Sequence, residues 1–369
     1  MKIQTIEYVY RKLPLEHAFA TAVGGVSNAT CLFVRLTTEC GLVGYGCGCP
    51  TSLTGESAET AAFFSERFAR EIAGKSPLRT EMLTSLYGDI TYGNPAVKAA
   101  FDSACWDIVG KHAGLPLYEL MGFDKPKITT SITVSLGPEE RMVSEAAFWV
   151  KKKFQSLKIK LGADPAANAS VVSAIRDKVG KDVTLRVDAN GAMTVSDALA
   201  FAHEVANLDL EFIEQPVTGA AEMAAVAKES PVRIAADETI TDLSSFAPVL
   251  AAGAMHVATL KLTKVGGITT GRKMADVAQA YAVPCMVGCM SETQVSIAAS
   301  VHLALAHANI VYADLDTFMF LHSDPSSGLK MKKGTLQPSG EPGLGISVSD
   351  TVFAHAKSVS FKRPPSPGR

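Results

Sequence analysis

Residues 156–161 read Ser-Leu-Lys-Ile-Lys-Leu, an alternation of apolar and basic residues that ends at a glycine. A period of two is typical of a β-strand with two unlike faces. Leu157, Ile159 and Leu161 would share one face of this strand, and Lys158 and Lys160 the other. The stretch therefore predicts a strand that buries one face in an apolar core and presents two ammonium groups on the opposite side.

Seven further short, β-rich runs resemble this one, and each ends in polar or charged residues: TTSITVSL (129–136), TLRVDA (184–189), EFIEQP (211–216), RIAADE (233–238), HVATLKL (256–262), PCMVGC (284–289) and VYADLD (311–316). Ala-rich segments with helical spacing lie between them, and strand ends recur roughly every 23–28 residues, which suits a strand-loop-helix unit. An open doubly wound sheet would also have alternating strands and helices, but it would not require functional residues at the end of nearly every strand. We therefore predict an α/β parallel barrel.

The regions on either side of the barrel differ from it in pattern. Residues 1–10 and 29–37 alternate like strands, and a helical pattern begins near Glu56, with Asn94 as the expected N-cap of a helix that starts at Pro95. A Gly/Pro-rich patch at 121–126 marks a boundary. We predict an α+β capping domain at 1–125, a barrel at 126–322 and a C-terminal segment at 323–369 that returns to the capping domain.

Composition narrows the class of protein. The 369 residues are 47% hydrophobic and 20% charged, with a net charge of −2, which gives no electrostatic reason to expect nucleic acid or an anionic membrane as a partner. No apolar run reaches the roughly 18 residues of a membrane span. The seven cysteines include no C-x2-C pair of the zinc-ribbon kind, so we expect reduced, mostly buried thiols and a cytoplasmic location.

Three acids follow three neighbouring predicted strands. Asp188, Glu214 and Asp237 would converge at the carboxyl ends of strands 3, 4 and 5, where barrel enzymes place their active sites. Each acid alone is also explained by the preference for acids at helix N-termini. Three ionised carboxylates in one small volume need a cation, and oxygen ligands suit Mg²⁺ or Mn²⁺ rather than zinc. We therefore predict a Mg²⁺ site, with Mn²⁺ as an alternative ion.

The lysines indicate proton transfer. Lys158 and Lys160 would face the barrel mouth together, and repulsion between them would depress the pKa of one toward that of a working base. Lys261 ends strand 6, halfway round an eight-strand ring, so it would approach a central substrate from the opposite side. One base on each face is the geometry needed to invert a carbon centre.

Strand 8 lies opposite strand 4 and hence opposite the predicted metal. Asp314 and Asp316 would place two carboxylates there, where a cationic group of a substrate could be held. A helix-capping Asp with a surface neighbour is the simpler explanation of this pair. We expect the rest of the substrate pocket to include Thr133, Cys289, Ser291 and Gly24.

Taken together and in order, seven stretches resemble the muconate lactonizing enzyme subgroup of the enolase superfamily over nearly the whole chain: SLKIKLG, LRVDANG, FIEQP, AADET, TLKLTKVGGI, MVGCMSET and YADLD. The resemblance implies a (β/α)7β barrel of the TIM type, Mg²⁺, and an enediolate formed by removing the proton α to a carboxylate. It assigns the metal to Asp188, Glu214 and Asp237. It assigns acid–base catalysis to Lys160 and Lys261, with Lys158 in support.

Within the subgroup, the Asp314-Leu-Asp316 motif resembles that of the dipeptide epimerases, in which such a pair binds the free ammonium group of the substrate. Members specific for Ala-Glu carry an arginine after the first strand, whereas residues 19–25 here read FATAVGG. The resemblance therefore favours a second residue that is neutral, apolar or basic rather than glutamate. Glu56, in the next predicted lid loop, would suit a basic one if it faced the substrate, and is otherwise a solvated surface acid.

These patterns leave several functions open. The first is a dipeptide epimerase that inverts the C-terminal residue, with a homo-oligomer as the usual assembly of the superfamily. The rival is an N-acylamino-acid racemase or an amino-acid or betaine epimerase. A cycloisomerase or dehydratase is less favoured, because strand 7 ends at Cys289 without the histidine of the dehydratases. A non-catalytic binding protein is least favoured, because all the acid–base groups are present.

Overall fold

The computed structural model describes residues 1–22, 24–122 and 125–361, apart from the side chains of residues 17–19. The stretch FATAVGG lies partly outside the described residues, as does the whole of the terminal segment 362–369. None of the helices in the described part combines the length and the apolar character that a membrane crossing requires.

The N-terminal region is an antiparallel sheet covered by helices. Its elements are β1 (Ile3–Thr21), β2 (Gly24–Thr38), β3 (Val43–Gly48), α1 (Ala58–Ile72), α2 (Thr80–Ile90), α3 (Pro95–Ala113) and the short α4 (Leu117–Leu120). The first two strands are longer than their alternation predicts, because the β1–β2 ladder continues past an irregularity between Pro14 and Phe19. This extension carries the hairpin toward the barrel mouth, where Thr21 and Val26 line a cavity.

Glycines in β3 let α3 lie directly on the sheet. Residues 44, 46 and 48 are glycines on one face, and a Cβ atom at Gly46 would lie 1.9 Å from the Ala100 carbonyl oxygen. Ala96 and Ala104, four residues to either side, make the same close approach to the neighbouring glycines. The other face of β3 carries Cys47, which packs with the core of the barrel.

The start of α3 is not capped as predicted. Asn94 has a φ of 57° and makes no capping hydrogen bond with its side chain. The Glu56 carboxylate instead accepts a hydrogen bond from the backbone N–H of Ala96 at 3.1 Å. Glu56 is 5% exposed, so it is neither the solvated acid nor the pocket residue that the sequence suggested. Its oxygens meet the partial positive charge at the start of the helix.

The barrel consists of eight parallel strands that are neighbours in chain order. After a short β4 (Ile128–Thr129), they are β5 (Ile132–Val134), β6 (Ser156–Lys160), β7 (Thr184–Asp188), β8 (Leu210–Glu214), β9 (Ile234–Ala236), β10 (Val257–Lys261), β11 (Cys285–Gly288) and β12 (Ile310–Asp314). The hydrogen bond from Ser131 N–H to the Ala313 carbonyl, 3.1 Å long, brings the first and last strands together.

Helices connect each strand to the next. They are α5 (Glu139–Lys151), α6 (Pro165–Val179), α7 (Val195–Glu204), α8 (Ala220–Glu229), α9 (Leu243–Ala251), the pair α10 (Leu262–Val265) and α11 (Ile268–Ala280), and α12 (Gln294–Ala306). Seven connections between eight strands, with a separate capping sheet, confirm the predicted (β/α)7β fold of the α/β class.

The C-terminal segment contains β13 (Ser326–Ser327), β14 (Lys330–Lys332), β15 (Thr335–Gln337), β16 (Ser347–Val348) and β17 (Lys357–Ser360). Strand β15 pairs with β4, and β17 pairs with β1. The chain thus returns from the barrel to the edge of the N-terminal sheet. The boundaries at 125 and 322 stay predictions.

The lower half of the barrel is filled with side chains. Phe212, Ala235, Val257 and Met286 form a small apolar cluster there, with Tyr312 packed against it. The Arg186 guanidinium lies 5.2 Å from the ring centroids of both Phe212 and Tyr312. Because this layer closes the barrel below, the polar side chains above it face the mouth.

Candidate active site

The two lysines of β6 lie as the alternation predicts. Leu157 and Ile159 are fully buried in the apolar core, whereas Lys158 and Lys160 line the cavity at the mouth of the barrel. Residues i and i+2 of a strand share a face, so this placement follows from the local sequence once the strand has formed.

Three acids stand beside these lysines on the next strands. Asp188 and Glu214 end β7 and β8, and Asp237 directly follows β9. In the parallel ladder, Lys160 pairs with Asp188, and Asp188 with Glu214. All three acids are 0% exposed. The register therefore concentrates three buried carboxylates on one side of the mouth.

Lys158 occupies the centre of this acidic group. Its Nζ lies 2.9 Å from Asp188 Oδ2, 2.8 Å from Glu214 Oε2 and 2.9 Å from Asp314 Oδ2. Burial lowers the pKa of Lys158, but Asp188, Asp314 and Glu214 outweigh burial and raise its pKa well above the ordinary value. The expectation that repulsion between the two lysines would depress a pKa is therefore wrong for Lys158, because alternation alone does not count the acids on neighbouring strands.

The acids respond to burial and to the lysines in different ways. Burial raises the pKa of Asp188, but Lys158 and Lys160 outweigh it and bring that pKa below the ordinary range. Lys261 and Lys264 have the same effect on the pKa of Asp237, against burial. Burial dominates at Glu214 and raises its pKa to about 7.

The donor set fits a hard divalent cation. Among the described residues, no hydrogen bond reaches either carboxylate oxygen of Glu214 or Oδ2 of Asp237. Ammonium groups do lie within ion-pair distance of these acids, with Lys158 2.8 Å from Glu214 Oε2 and Lys261 2.6 Å from Asp237 Oδ2. Mg²⁺ binds carboxylate oxygens, and oxygens that are not already saturated by hydrogen bonds are free to bind it.

The same group of acids is not drawn tightly together. In the part of the chain that the structure describes, the only set of three His, Cys, Asp or Glu side chains with ligand atoms all within 4.8 Å of one another is Cys31, Cys47 and Cys49. The three acids are spread around the Lys158 ammonium group instead. A divalent cation bound by them would compete with that ammonium for the same oxygens.

Lys160 and Lys261 approach the cavity from two sides. Lys160 lies on β6 and Lys261 at the end of β10, four strands away in a sheet of eight. Lys160 Nζ donates to Asp188 Oδ2 at 2.6 Å and to Asn190 Oδ1 at 3.1 Å. Lys261 Nζ lies 2.6 Å from Asp237 Oδ2. Both side chains line one cavity, so an atom held between them is accessible to an amine on either side.

The two strand-8 acids both line the cavity, and their surroundings differ. Asp314 accepts from Ser131 Oγ at 2.7 Å and from Lys158 Nζ at 2.9 Å. Asp316 accepts from the backbone N–H of Thr133 at 2.7 Å, and its Oδ1 has no hydrogen-bond partner among the described residues. Burial, and then the Asp314 charge, raise the pKa of Asp316 to about 7.

Of the other predicted pocket residues, Thr133, Cys289 and Ser291 line the cavity. Gly24 does not. It begins β2 with a φ of +133°, between the lining residues Thr21 and Val26. The hairpin therefore meets the cavity through the side chains on either side of Gly24.

Three polar residues of the site had no predicted role. Lys264 donates to Asp237 Oδ1 at 2.6 Å and also to the Asp237 carbonyl. Asn190 contacts Lys160 and Asp188, and donates to Glu238 Oε1 at 2.9 Å. The third is Glu238. Lys264 comes three residues after Lys261, Asn190 two residues after Asp188, and Glu238 directly after Asp237, and these positions were the signal that the sequence offered. These side chains orient the neighbouring acids and lysines.

The cavity has two chemically unlike walls. Among the described residues, the charged ones that line the cavity all come from the barrel: Lys158, Lys160, Lys261, Glu238, Asp314 and Asp316. The described lining residues before Pro95 carry no charge: Leu15, Thr21, Val26, Asn28, Ala29, Thr30, Cys49, Pro50, Thr51 and Leu53. Phe320 and Met290 add apolar surface from the barrel side. The site thus pairs a charged floor with an uncharged roof.

The chain is similar to known proteins over nearly its whole length. The N-terminal domain family of mandelate racemase / muconate lactonizing enzyme matches residues 4–122, and the enolase C-terminal domain-like family matches residues 141–352. The hydrophobic dipeptide epimerase of Enterococcus faecalis is 36% identical over 353 residues, which cover 94% of this chain and 100% of that protein.

Two solved structures share the fold over almost their full length. The crystal structure of the Enterococcus faecalis dipeptide epimerase with Mg and the dipeptide L-Leu-L-Tyr has a TM-score of 0.92 and 36% identity, covering 94% of this chain and 100% of that one. The N-succinyl Arg/Lys racemase of Bacillus cereus has a TM-score of 0.94 and 28% identity, covering 97% and 100%.

Proposed function

This chain belongs to the mandelate racemase / muconate lactonizing enzyme family of the enolase superfamily, and on that basis we propose that it is a Mg²⁺-dependent dipeptide epimerase, an isomerase. It inverts the α-carbon of the C-terminal residue by proton transfer through an enediolate. The observation that carries the proposal is the pair Lys160 and Lys261, which line one cavity from strands four apart.

Asp188, Glu214 and Asp237 would hold the metal ion. Their buried oxygens, which are not saturated by hydrogen bonds, support this assignment, as does the presence of Mg in the related structure from Enterococcus faecalis. When bound, Mg²⁺ stabilises the negative charge that develops on the substrate carboxylate as the α-proton leaves.

The lysines exchange roles between the two directions of the reaction. One amine accepts the α-proton and the ammonium on the other side donates a proton to the opposite face, so that configuration inverts. Asn190 and Asp188 fix the Lys160 ammonium, and Asp237 fixes that of Lys261. Lys158 remains protonated among its acids and supports the negative charge of the intermediate.

Asp314 and Asp316 would bind the free ammonium group of the dipeptide. Asp316 Oδ1 has no hydrogen-bond partner among the described residues and is buried beside the cavity. A substrate ammonium would supply that missing donor and would stabilise the ionised form of Asp316.

The second side chain of the substrate is uncharged and most favourably hydrophobic. The capping region contributes Leu15, Val26 and Leu53 to the cavity and no described charged side chain. An Asp or Glu side chain placed against this wall would lose hydration without gaining a partner. A hydrophobic side chain gains roughly 1.5–3 kcal/mol from burial.

N-acylamino-acid racemisation is the second candidate, because the Bacillus cereus racemase has the same fold over nearly the full chain. The acyl group of an N-acylamino acid carries no ammonium group. A negatively charged acyl group would be placed toward Asp314 and Asp316, and the repulsion between like charges disfavours it.

We also propose that the enzyme acts in the cytoplasm, for which its seven free cysteines are the support. Assembly into a homo-oligomer stays a prediction.

The experiment is incubation of a dipeptide library with the enzyme and Mg²⁺ in D₂O, analysed by mass spectrometry. One deuterium at the α-carbon of C-terminal residues, with the largest rates for hydrophobic ones, is the expected result. Exchange on N-acylamino acids or betaines, with none on dipeptides, would retain the lysines and the metal but refute the assignment of Asp314 and Asp316. No exchange on any substrate would refute the proposed function.

A further inference from the structure

Three cysteine thiols meet at one point outside the charged floor of the cavity. The Sγ atoms of Cys31, Cys47 and Cys49 all lie within 4.8 Å of one another, and the Cys31–Cys49 separation is 3.2 Å. All three residues are buried. No step of the proposed reaction uses them.

The sheet register brings the three thiols together. Phe33 pairs with Cys47, and Leu32 with Gly48, so Cys31 comes opposite Cys49 where the ladder ends. Cys47 and Cys49 are two residues apart and share a face. Because the glycines of β3 occupy the face toward α3, the thiols face the barrel.

The N-terminus of α12 lies against this cluster. Thr293, the N-cap residue of this 13-residue helix, donates from Oγ1 to Cys47 Sγ at 3.5 Å. Glu292 directly precedes Thr293, and its Oε2 has no hydrogen-bond partner among the described residues. Glu292 is only 1% exposed. The partial positive charge at this helix N-terminus favours the thiolate form of Cys47, the sulfur that Thr293 contacts.

We propose that Cys31, Cys47 and Cys49 form a binding site for one thiophilic d¹⁰ cation of the Zn²⁺ class. Two sulfurs bound to one tetrahedral Zn²⁺ at about 2.3 Å lie roughly 3.8 Å apart, a spacing that small side-chain adjustments provide here. The alternative is that these cysteines act only as small apolar core residues, which would explain why they are buried. This alternative does not account for three sulfurs that all lie within 4.8 Å of one another and come from two strands.

Binding involves no oxidation or reduction. Each coordinating thiol forms a sulfur–metal bond and releases its proton to solvent, so up to three protons leave for each ion bound. Thiolate sulfur selects Zn²⁺, whereas the oxygen ligands of the barrel select Mg²⁺. The two sites therefore bind different ions.

The position of the site indicates what the ion does. Cys49 lines the substrate cavity and precedes Pro50, Thr51 and Leu53, which also line it. An ion that links β2 to the end of β3 holds this wall in place. It is a positioning element for the substrate pocket and takes no part in proton transfer.

The first experiment titrates metal-free, fully reduced enzyme with Co²⁺ in the presence of excess Mg²⁺, which saturates the oxygen site. One equivalent should bind, with thiolate-to-cobalt charge-transfer absorption in the near ultraviolet. Cys31→Ser and Cys47→Ser should weaken binding at least about tenfold, the lower range for loss of a supporting residue. Cys40→Ser, which alters an exposed cysteine outside the cluster, is the matched control and should bind as the unchanged protein does.

Absence of the absorption band, or an equal band in Cys47→Ser, would overturn the proposal. X-ray absorption at the zinc edge of the unmutated enzyme keeps the test valid if the variants misfold. Three sulfur neighbours at about 2.3 Å are expected. A shell of oxygen and nitrogen atoms only would overturn the site. These measurements detect metal binding at the cysteines, whereas the dipeptide assay detects α-proton exchange. A failure of this proposal is therefore distinguishable from a failure of the proposed function.

Discussion

The two walls of the cavity differ in chemistry and in how strictly the fold fixes the positions of their side chains. The floor consists of strand ends of the barrel and holds Lys158, Lys160 and Lys261 among buried acids. The roof consists of the N-terminal hairpin and the segment after β3, and its described lining residues are uncharged. The floor thus carries the groups proposed to move protons and bind charge, whereas the roof supplies apolar and uncharged polar surface.

This difference assigns the proposed reaction and the choice of substrate to separate parts of the chain. Charged groups at strand ends are fixed by the hydrogen-bonded ladder, so their spacing changes little when surface loops change. The roof tolerates substitution because each residue contributes only local packing. Changes in the floor should therefore affect the reaction itself, and changes in the roof should affect which substrate reacts.

The largest effect is expected from the floor lysines. Lys160→Ala and Lys261→Ala should each abolish epimerisation, a loss of at least about 10²–10⁴-fold, because each removes one of the two general acid–base groups. Either variant should still exchange the α-proton of a single stereoisomer in D₂O. Lys178→Ala, which alters an exposed lysine of α6, is the control. Full epimerase activity in either active-site variant would refute the two-base mechanism.

A smaller effect is expected from Asp316. Asp316→Asn removes the charge proposed to face the substrate ammonium, so KM for free dipeptides should rise about 10- to 100-fold, the worth of a hydrogen bond to a charged group. KM for N-acylated substrates should change much less. Steady-state kinetics on a matched pair of free and acylated substrates measures the contrast, and equal increases would remove the assigned role.

The roof should alter preference rather than chemistry. Leu53→Arg introduces a cation into the uncharged wall and should lower kcat/KM for hydrophobic dipeptides about tenfold, while improving it for dipeptides that end in Asp or Glu. Leu115→Arg, at an exposed position away from the cavity, is the control. Competition within one dipeptide mixture gives the ratio directly. If the ratio were unchanged, the roof would not be the specificity wall.

The smallest effect is expected at Glu56, which lies beneath the roof. Burial raises the pKa of Glu56 to about 7, above its ordinary value near 4.5. The folded state therefore binds more protons than the unfolded state between these values, and stability falls as pH rises from about 4.5 to 7, by at most about 1.4 kcal/mol per pH unit.

Thermal unfolding of Glu56→Gln across this pH range tests the assignment, with Glu71→Gln, at an exposed position of α1, as the control. The Glu56 variant should have a shallower decline of Tm with pH than both the control and the unchanged protein. An identical pH dependence in all three would show that Glu56 does not titrate in this range.

The sequence by itself determined the barrel and most of the floor. Alternation in residues 156–161 fixed the face of Lys158 and Lys160, and the order of strand ends placed Asp188, Glu214 and Asp237 side by side. These predictions rest on local periodicity and on the rule that parallel strands end at one edge. Both depend on short stretches of chain, and for that reason the local pattern was sufficient to predict the barrel and the positions of these residues.

Only the tertiary structure decided which side chains meet across elements. It placed Lys158 among three acids that raise its pKa, whereas the repulsion expected between Lys158 and Lys160 would have lowered the pKa of one of them. It also brought Glu56 to the start of α3, where Asn94 was the predicted N-cap, and Cys31 to Cys49 across 18 positions. Such contacts depend on register and packing between distant segments, and periodicity within one segment contains no information about them.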